Sequence, residues 1–317
     1  MGFLPGNLAS PQSNQGRFTH HLVRSSFVPP APIRALRDLT RSREAIVHER
    51  TRTISRLEKQ LEDAGIKLSV VASNLAGVSC HDILTAMVAG QHDPIALADL
   101  ARASMRNKRP DLQRALTGRF TEHHAFLVRM SLDRIAQDDA AITQLTERIE
   151  QYIEPFRGLR DLMCTIPGIS TTVAEVVIAE TGGDMRVFPT AAHLAAWAGV
   201  APGQNESAGR KKSTTTRPGD SHLKAALGIA ALSVSRSNTT RLAARYHRIA
   251  ARRGKLKAVV AIERTLLSII WAMAQSGQPY QEPGPDYYTR LRPDRTKARA
   301  LKMLHDLGYN VTLQPAA

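Results

Sequence analysis

Residues 202–224 read Pro-Gly-Gln-Asn-Glu-Ser-Ala-Gly-Arg-Lys-Lys-Ser-Thr-Thr-Thr-Arg-Pro-Gly-Asp-Ser-His-Leu-Lys, and they separate two apolar parts of the chain. The apolar stretch 191–200 runs into this polar segment, and an apolar helical pattern begins after His222. Glycine, proline and hydroxyl residues are the usual residues of turns. The sequence therefore predicts a polar loop between two apolar elements.

Ser207 lies in this loop beside two small residues and is followed by three cations, Arg210, Lys211 and Lys212. One interpretation is that the hydroxyl is a nucleophile that faces a phosphate group. The other is that the basic loop grips a nucleic-acid backbone and performs no chemistry, since basic loops of this kind are common. The residues of the loop leave both interpretations open.

The whole chain has a formal charge of +15, and most of this positive charge lies in its second part. Residues 1–200 contain 23 Lys and Arg against 21 Asp and Glu, whereas residues 201–317 contain 20 against 7. The segment 210–257 contains 13 basic residues and a single acid, Asp220. Such an imbalance favours a nucleic-acid partner over an ordinary mixed-charge surface.

The two cysteines, Cys80 and Cys164, have no metal-binding neighbours at the usual spacing, so we expect inert thiols in a reducing compartment. The chain shows neither a secretion signal nor an uninterrupted membrane-spanning run, which predicts a cytoplasmic protein without a membrane partner. Four histidines are expected to be surface or packing residues and not metal ligands; they are His81, His92, His123 and His124.

Two long helices are predicted, at 33–65 and 120–156, with several short helices between them. Each repeats apolar residues every seven positions: Val47, Ile54 and Leu61 in the first, and Ile135, Ile142 and Ile149 in the second. They predict either a coiled-coil arm, which pairs within or between chains and makes a homo-oligomer, or a pair of ordinary core helices. We divide the chain into a disordered leader (1–19), this helical region (20–156) and a basic C-terminal domain (157–317).

Residues 162–183 have the pattern of a helix-hairpin-helix, with a turn at Ile166-Pro167-Gly168-Ile169-Ser170. Gly168 permits a tight turn, and the free amides at the start of the next helix bind a phosphate oxygen in such motifs. This contact reads the backbone and not the base sequence. The alternative is a tight turn buried inside the domain. The predicted fold class is mainly α, a coiled-coil-like arm plus a basic helical domain that contains this motif.

Several separate segments, in order, resemble the transposases of the insertion-sequence 110/116/902 family. The resemblance covers about residues 20–315. The segments that carry it are 22–30, 33–41, 165–169 (Thr-Ile-Pro-Gly-Ile), 188–191, 194–203, 206–213 (Glu-Ser-Ala-Gly-Arg-Lys-Lys-Ser), 216–220 (Thr-Arg-Pro-Gly-Asp), 287–288, Arg295 and 307–313.

The resemblance implies a DNA recombinase that cleaves and rejoins phosphodiesters with a structured guide RNA. It implies Ser207 as the covalent nucleophile, with nearby cations offsetting charge on the phosphoryl oxygens. It also implies Mg²⁺ held by an Asp-Glu-Asp-Asp set in an N-terminal RNase-H-like domain. The residues expected to bind nucleic acid are Gly168, Ile169, Ser170, Arg210, Lys211, Lys212, Thr214, Arg217 and Lys224.

The chain departs from this pattern at its N-terminus, because residues 1–19 contain no Asp or Glu. We therefore expect a copy without the metal-binding carboxylates, which binds no metal or other cofactor by itself. Two functions follow: a transposase that uses Ser207, or a truncated and inactive remnant that still binds nucleic acid.

Overall fold

The computed structural model describes residues 29–203, 205–213 and 215–314, and for 205–207 and 211–213 it describes the backbone alone. The predicted leader, residues 1–19, lies outside this part of the chain. The described chain is mainly helical, as predicted, with two short strands. None of its helices is long and apolar enough to span a bilayer.

Two long helices, α1 (Ala31–Asp63) and α6 (Glu122–Ile153), run antiparallel against each other. Asp63 at the end of α1 meets His124 at the start of α6 at 3.2 Å, while Arg50 pairs with Asp139 at 2.6 Å. A reciprocal capping box between Thr121 and His124 fixes the start of α6. The predicted pairing of the two helices therefore occurs within one chain. Coiled-coil geometry, and pairing between chains, stay predictions.

Four short helices cap one end of this helix pair: α2 (Leu68–Val71), α3 (Val78–Val88), α4 (Pro94–Asp99) and α5 (Arg109–Ala115). They form a core of their own with Leu57 and Leu61 of α1 and Val128 and Ile135 of α6. Cys80 lies in this core, where burial raises its pKa to about 11. This thiol is therefore protonated and unreactive at neutral pH, as its sequence context predicts.

The long helices α1 and α6 are together called the arm. The second and larger core is formed by helices from the C-terminal half together with the end of the arm opposite the four short helices. Its helices are α7 (Arg157–Cys164), α8 (Thr171–Thr181), α9 (Ala191–Trp197), α10 (Ser221–Ser235), α11 (Arg241–Arg253) and α12 (Lys255–Ser276). Leu36 of α1 and Ile149 and Ile153 of α6 are fully buried in it. The core thus contains side chains from both the helical region (20–156) and the C-terminal domain (157–317) into which the sequence was divided. Two further helices, α13 (Tyr287–Leu291) and α14 (Pro293–Asp306), follow on its outside.

Helix α8 is buried along most of its length, although it carries two carboxylates, Glu175 and Glu180. Glu180 accepts two 2.8 Å hydrogen bonds from Arg41, and Glu175 accepts one of 2.6 Å from Arg43. Arg37 donates to the carbonyl groups of Ala179 and Glu180 near the end of α8. Buried carboxylates require such partners. The arginines of α1 therefore join the arm to the C-terminal core through ionic contacts as well as apolar packing.

Candidate active site and nucleic-acid interface

The segment that contains Ser207 is a β-hairpin and not the loop that its composition predicts. Strand β1 (Asn205–Ser207) pairs antiparallel with β2 (Arg210–Ser213), and Ser207 stands directly opposite Arg210. The two residues of the turn, Ala208 and Gly209, have positive φ angles of 51° and 72°. Positive φ at both positions is typical of the two-residue turns that match the twist of a hairpin. The backbone thus places Ser207 next to the tip of a short ribbon.

The base of this hairpin is attached to the core by close backbone contacts. Pro202 forms an antiparallel bridge with Thr216, and the amide of Gly203 donates to the carbonyl of Thr215 at 3.1 Å. Gly199, after α9, packs so closely on Gly219 that a Cβ atom on Gly219 would lie 2.3 Å from the Gly199 nitrogen. A side chain at that position would force the two backbones apart. The strands are held by these contacts as well as by their own short ladder.

Asp220 and Lys224 fix the segment that leads from the hairpin into α10. The Asp220 carboxylate accepts a 2.8 Å hydrogen bond from the Leu223 amide and so caps α10. The Lys224 ammonium donates to the Thr216 hydroxyl at 3.2 Å. A cation of α10 is therefore held at the base of the hairpin.

Below Lys224 lies Glu263 of α12, a carboxyl group that is 4% exposed. Burial raises the pKa of Glu263, and the positive charge of Lys224 acts in the opposite direction. Helix α10 packs against this carboxyl group, since a Cβ on Gly228 would lie 3.4 Å from its Oε1 atom. Its Oε2 atom has no hydrogen-bond partner in the described part of the chain.

Helix α1 also reaches the start of α10. Glu44 accepts a 2.5 Å hydrogen bond from His222 Nδ1, and Arg41 lies 3.8 Å from the Asp220 carboxylate. Arg41 thus contacts both Glu180 of α8 and Asp220, the cap of α10. The arm therefore contributes directly to the position of the segment that carries the hairpin.

The predicted site residues divide into those that the structure describes and those that it does not. Arg210 and Arg217 are exposed, and Lys224 is partly buried. The side chains of Ser207, Lys211 and Lys212, and all of Thr214, lie outside the described residues. Ser207 and Arg210 are thus adjacent by backbone register, and Lys224 lies at the other end of the hairpin.

The predicted helix-hairpin-helix corresponds to α7, a tight turn and α8. Gly168 has φ 93°, and a Cβ there would lie 2.7 Å from both the Ala230 carbonyl and the Val234 side chain of α10. Ile169 is buried, whereas Ser170 is exposed and caps α8 through the Val173 amide at 3.3 Å. Gly168 and Ile169 therefore serve packing. Binding of nucleic acid by this turn stays a prediction, which its exposed residue Ser170 favours most.

The turn and the hairpin contact different parts of α10. The hairpin base is tied to Lys224 in its first turn, while Gly168 packs on Ala230 and Val234. At 1.5 Å of rise per residue, these contacts are separated by roughly 9–15 Å along the helix axis. The two predicted sites are thus neighbours on one helix and do not form one pocket.

Helix α11 carries a row of arginines that is not among the nucleic-acid-binding residues expected from the sequence. Arg241, Arg245, Arg248 and Arg252 are spaced by four, three and four residues, which puts them on one face of a helix. The guanidinium group of Arg241 lies 5.1 Å from the ring centre of Tyr287, and that of Arg248 lies 4.5 Å from that of Tyr288. These cation–π contacts fix α13 to α11. The helical spacing of the arginines in the sequence was the signal that could have revealed them.

The described residues do not fit a resident metal ion. No three of their histidine, cysteine, aspartate or glutamate side chains come together in a way that could hold one. Magnesium prefers several oxygen ligands in octahedral geometry. No chemical step is therefore assigned to a metal in this part of the chain.

Comparisons with known proteins find similar sequences for part of this chain. The family model described as "Transposase IS116/IS110/IS902 family" matches residues 160–247, which run from α7 through the hairpin into α11. A "Pilin gene-inverting protein" of Moraxella bovis is 32% identical over 158 residues, 47% of this chain and 48% of that protein. The chain thus spans about half the length of this relative.

Two proteins of insertion elements are also similar. The "Insertion element IS900 uncharacterized 42 kDa protein" of Mycobacterium paratuberculosis is 27% identical over 297 residues, 84% of this chain and 70% of that protein. The "Insertion element IS110 uncharacterized 43.6 kDa protein" of Streptomyces coelicolor is 31% identical over 131 residues, 40% of this chain and 31% of that protein. The chain is therefore similar to the IS116/IS110/IS902 transposase family over residues 160–247, and to a pilin gene-inverting protein and two insertion-element proteins over longer stretches.

Proposed function

We propose that this chain binds DNA through its basic C-terminal domain and uses Ser207 to cleave and rejoin DNA strands in the cytoplasm. The similarity of residues 160–247 to a transposase family supports a role in the recombination of a mobile element. The observation that carries the finer proposal is the hairpin, whose register sets Ser207 opposite Arg210 next to an exposed turn. A serine, the proposed nucleophile, and a cationic residue therefore lie on adjacent strands of one ribbon.

The proposed step is a transesterification at a phosphodiester. The Ser207 oxygen forms a bond to phosphorus, the bond from phosphorus to one deoxyribose oxygen breaks, and that oxygen leaves as a hydroxyl. The serine loses one proton and the leaving oxygen gains one, so that no water is consumed. The phosphoserine ester conserves the bond energy for rejoining. Arg210, across the hairpin, offsets the negative charge that builds on the phosphoryl oxygens.

The geometry also supports positioning of the hairpin by residues outside it. Lys224 holds Thr216 at the hairpin base, and Asp220 links the start of α10 to Arg41 of the arm. Placement of a nucleophile to within a fraction of an ångström determines much of its reactivity. In this proposal, the arm and α10 set the position from which Ser207 attacks.

A covalent adduct tests the catalytic half of the proposal. The full chain is incubated with duplex DNA of its element ends, the matching guide RNA and Mg²⁺, and is then denatured and resolved by mass on a gel. We expect a protein–DNA adduct that Ser207→Ala abolishes with little change in affinity. Ser213→Ala, in the facing strand of the same hairpin, is the matched control and should keep the adduct. Equal loss of binding and adduct in Ser207→Ala would make this serine structural.

The second candidate function is nucleic-acid binding without chemistry, which the excess of cations in 210–257 favours. Replacing Arg210, Lys211 and Lys212 by Ala should lower the slope of log affinity against log salt concentration by about 2–3, because three phosphate contacts are lost. Replacing Arg52, Arg56 and Lys59 of α1 makes the same charge change on the arm and should leave the slope unaltered. An unchanged slope in the hairpin variant would remove the hairpin from the interface.

The proposal includes two kinds of partner, a structured guide RNA and further copies of this chain. A structured RNA is a second polyanion for the basic domain, and self-association through the exposed sides of α1 and α6 would bring two hairpins to two DNA strands. Sedimentation of the chain with and without RNA measures both partners. A monomer at all concentrations, with no RNA bound, would exclude them.

A further inference from the structure

Helices α11 and α12 meet at a corner made by one residue, Gly254, with φ 86°. A Cβ added to Gly254 would have no atom within 4 Å, so the corner projects away from the core. Leu256, two residues into α12, is 84% exposed, more than any other large apolar side chain among the described residues. Exposure of this extent contributes nothing to folding.

Four cations surround this leucine in the sequence and are exposed with it: Arg252, Arg253, Lys255 and Lys257. No carboxylate occurs in the chain between Asp220 and Glu263 to offset them. The corner therefore combines one protruding apolar side chain with a concentrated positive charge.

This combination fits duplex DNA better than it fits a protein. A protein partner would have to desolvate four cations around a single leucine, and one side chain supplies little of the roughly 800 Å² per partner that a stable interface buries. Proteins that kink DNA insert an apolar side chain between base pairs, while adjacent cations hold the phosphates on either side. The corner presents both parts of that arrangement.

We infer that Leu256 is a wedge that enters a base step of duplex DNA and unstacks it. The cations of the corner bind the flanking phosphates and hold the leucine against the groove. This inference rests on the proposed binding of DNA by the basic domain, and it adds a distortion of the duplex to that binding. The wedge therefore changes the shape of the DNA, and its apolar side chain does not recognise base sequence through hydrogen bonds.

The test separates distortion from binding. The probe is a duplex of about 24 base pairs with one central TpA step, which unstacks easily, and 2-aminopurine in place of its adenine. Dyes on the two ends report bending by energy transfer, while 2-aminopurine fluorescence rises when the base unstacks. Both signals are read at saturating full-length protein, after affinity and salt slope have been measured for each variant.

Leu256→Ala should bind with an affinity within about threefold of the unsubstituted chain and the same salt slope, but it should lose both distortion signals. Leu256→Met should restore most of each signal, because it returns a long apolar side chain. Ile229→Ala is the matched control, since Ile229 is also exposed, at 65%, and residues 225–233 carry no charge. This variant should behave as the unsubstituted chain does.

Equal distortion by Leu256→Ala and the unsubstituted chain would overturn the wedge, and so would DNA that is bound without distortion by either protein. In both cases the proposed DNA binding would stand. A self-association that Leu256→Ala abolishes, with DNA distortion unchanged, would assign the leucine to a contact between copies. Absence of any DNA binding would contradict both the wedge and the proposed function on which it rests.

Discussion

Glu263 is a single side chain whose burial has a measurable consequence for stability. Its pKa is raised by burial, so at pH values above the usual 4.3 or so the folded chain binds more protons at this group than the unfolded chain does. The free energy of unfolding contributed by Glu263 therefore falls as the pH rises from the ordinary pKa through the raised one.

Glu263→Gln should remove this dependence, because an amide does not titrate. We expect the variant to gain stability relative to the unsubstituted chain as the pH is raised from 4 to 7. Urea unfolding is followed by tryptophan fluorescence, since both tryptophans, Trp197 and Trp271, lie in or against the larger core. Glu147→Gln on the exposed face of α6 is the control. The same stability difference at both pH values would contradict the assignment.

The sequence predicts some of the close approaches between residues of the candidate site and not others. The order Glu206, Ser207, Ala208, Gly209, Arg210 is local, so a close approach of Ser207 and Arg210 could be read from the chain. The packing of Glu263 against α10 at Gly228 could not be predicted, because it depends on how α10 and α12 pack across 35 positions of sequence. Residue types predict chemistry, whereas tertiary packing decides which of them meet.

The turn between α7 and α8 makes a prediction for this pair of helices. Gly168→Ala should lower the free energy of unfolding by about 2–4 kcal/mol, because a Cβ strains the left-handed backbone and overpacks against α10. Gly277→Ala is the matched control: its φ is 67°, but the space around it is open, so only the backbone strain of about 1–2 kcal/mol is expected. Equal losses in the two variants would show that the turn does not depend on packing against α10.

Elements with strong local signals were predicted well and those stabilised by distant contacts were not. The apolar repeats of 33–65 and 120–156 correspond to α1 and α6, whose ends lie within a few residues of the prediction. Strands of three and four residues, β1 and β2, were expected as loop. Their pairing depends on the bridge from Pro202 to Thr216 and on the Gly199–Gly219 contact, which composition does not reveal.

The whole molecule consists of two cores joined by the arm, and the arginines of α1 hold the arm to the larger core. Arg41→Ala should cost about 2 kcal/mol, because the fully buried Glu180 loses two charge-assisted hydrogen bonds and keeps Arg37, at 3.1 Å, as its remaining cation. Arg50→Ala removes a comparable pair between α1 and α6, yet it should cost about 1 kcal/mol or less, because Asp139 is half exposed. Urea unfolding monitored by tryptophan measures both.

A loss in Arg41→Ala no larger than that in Arg50→Ala would show that the pair of Arg41 with Glu180 does not hold the arm to the larger core. The apolar faces of α1 and α6 can be predicted from the heptad repeats, but the ion pair between α1 and α8 cannot. Arg41 and Glu180 are 139 positions apart, and each reads by itself as an ordinary charged residue on a helix.

The central claim is that Ser207 bonds covalently to DNA, and digestion of the trapped adduct with trypsin tests it most directly. Cleavage after Arg186 and Arg210 releases residues 187–210, in which Ser207 is the only serine. After nuclease treatment, mass spectrometry should find this peptide heavier by one nucleotide phosphate, with the added mass on Ser207. A nucleotide found on another peptide, or on no peptide while strand cleavage proceeds, would contradict the account.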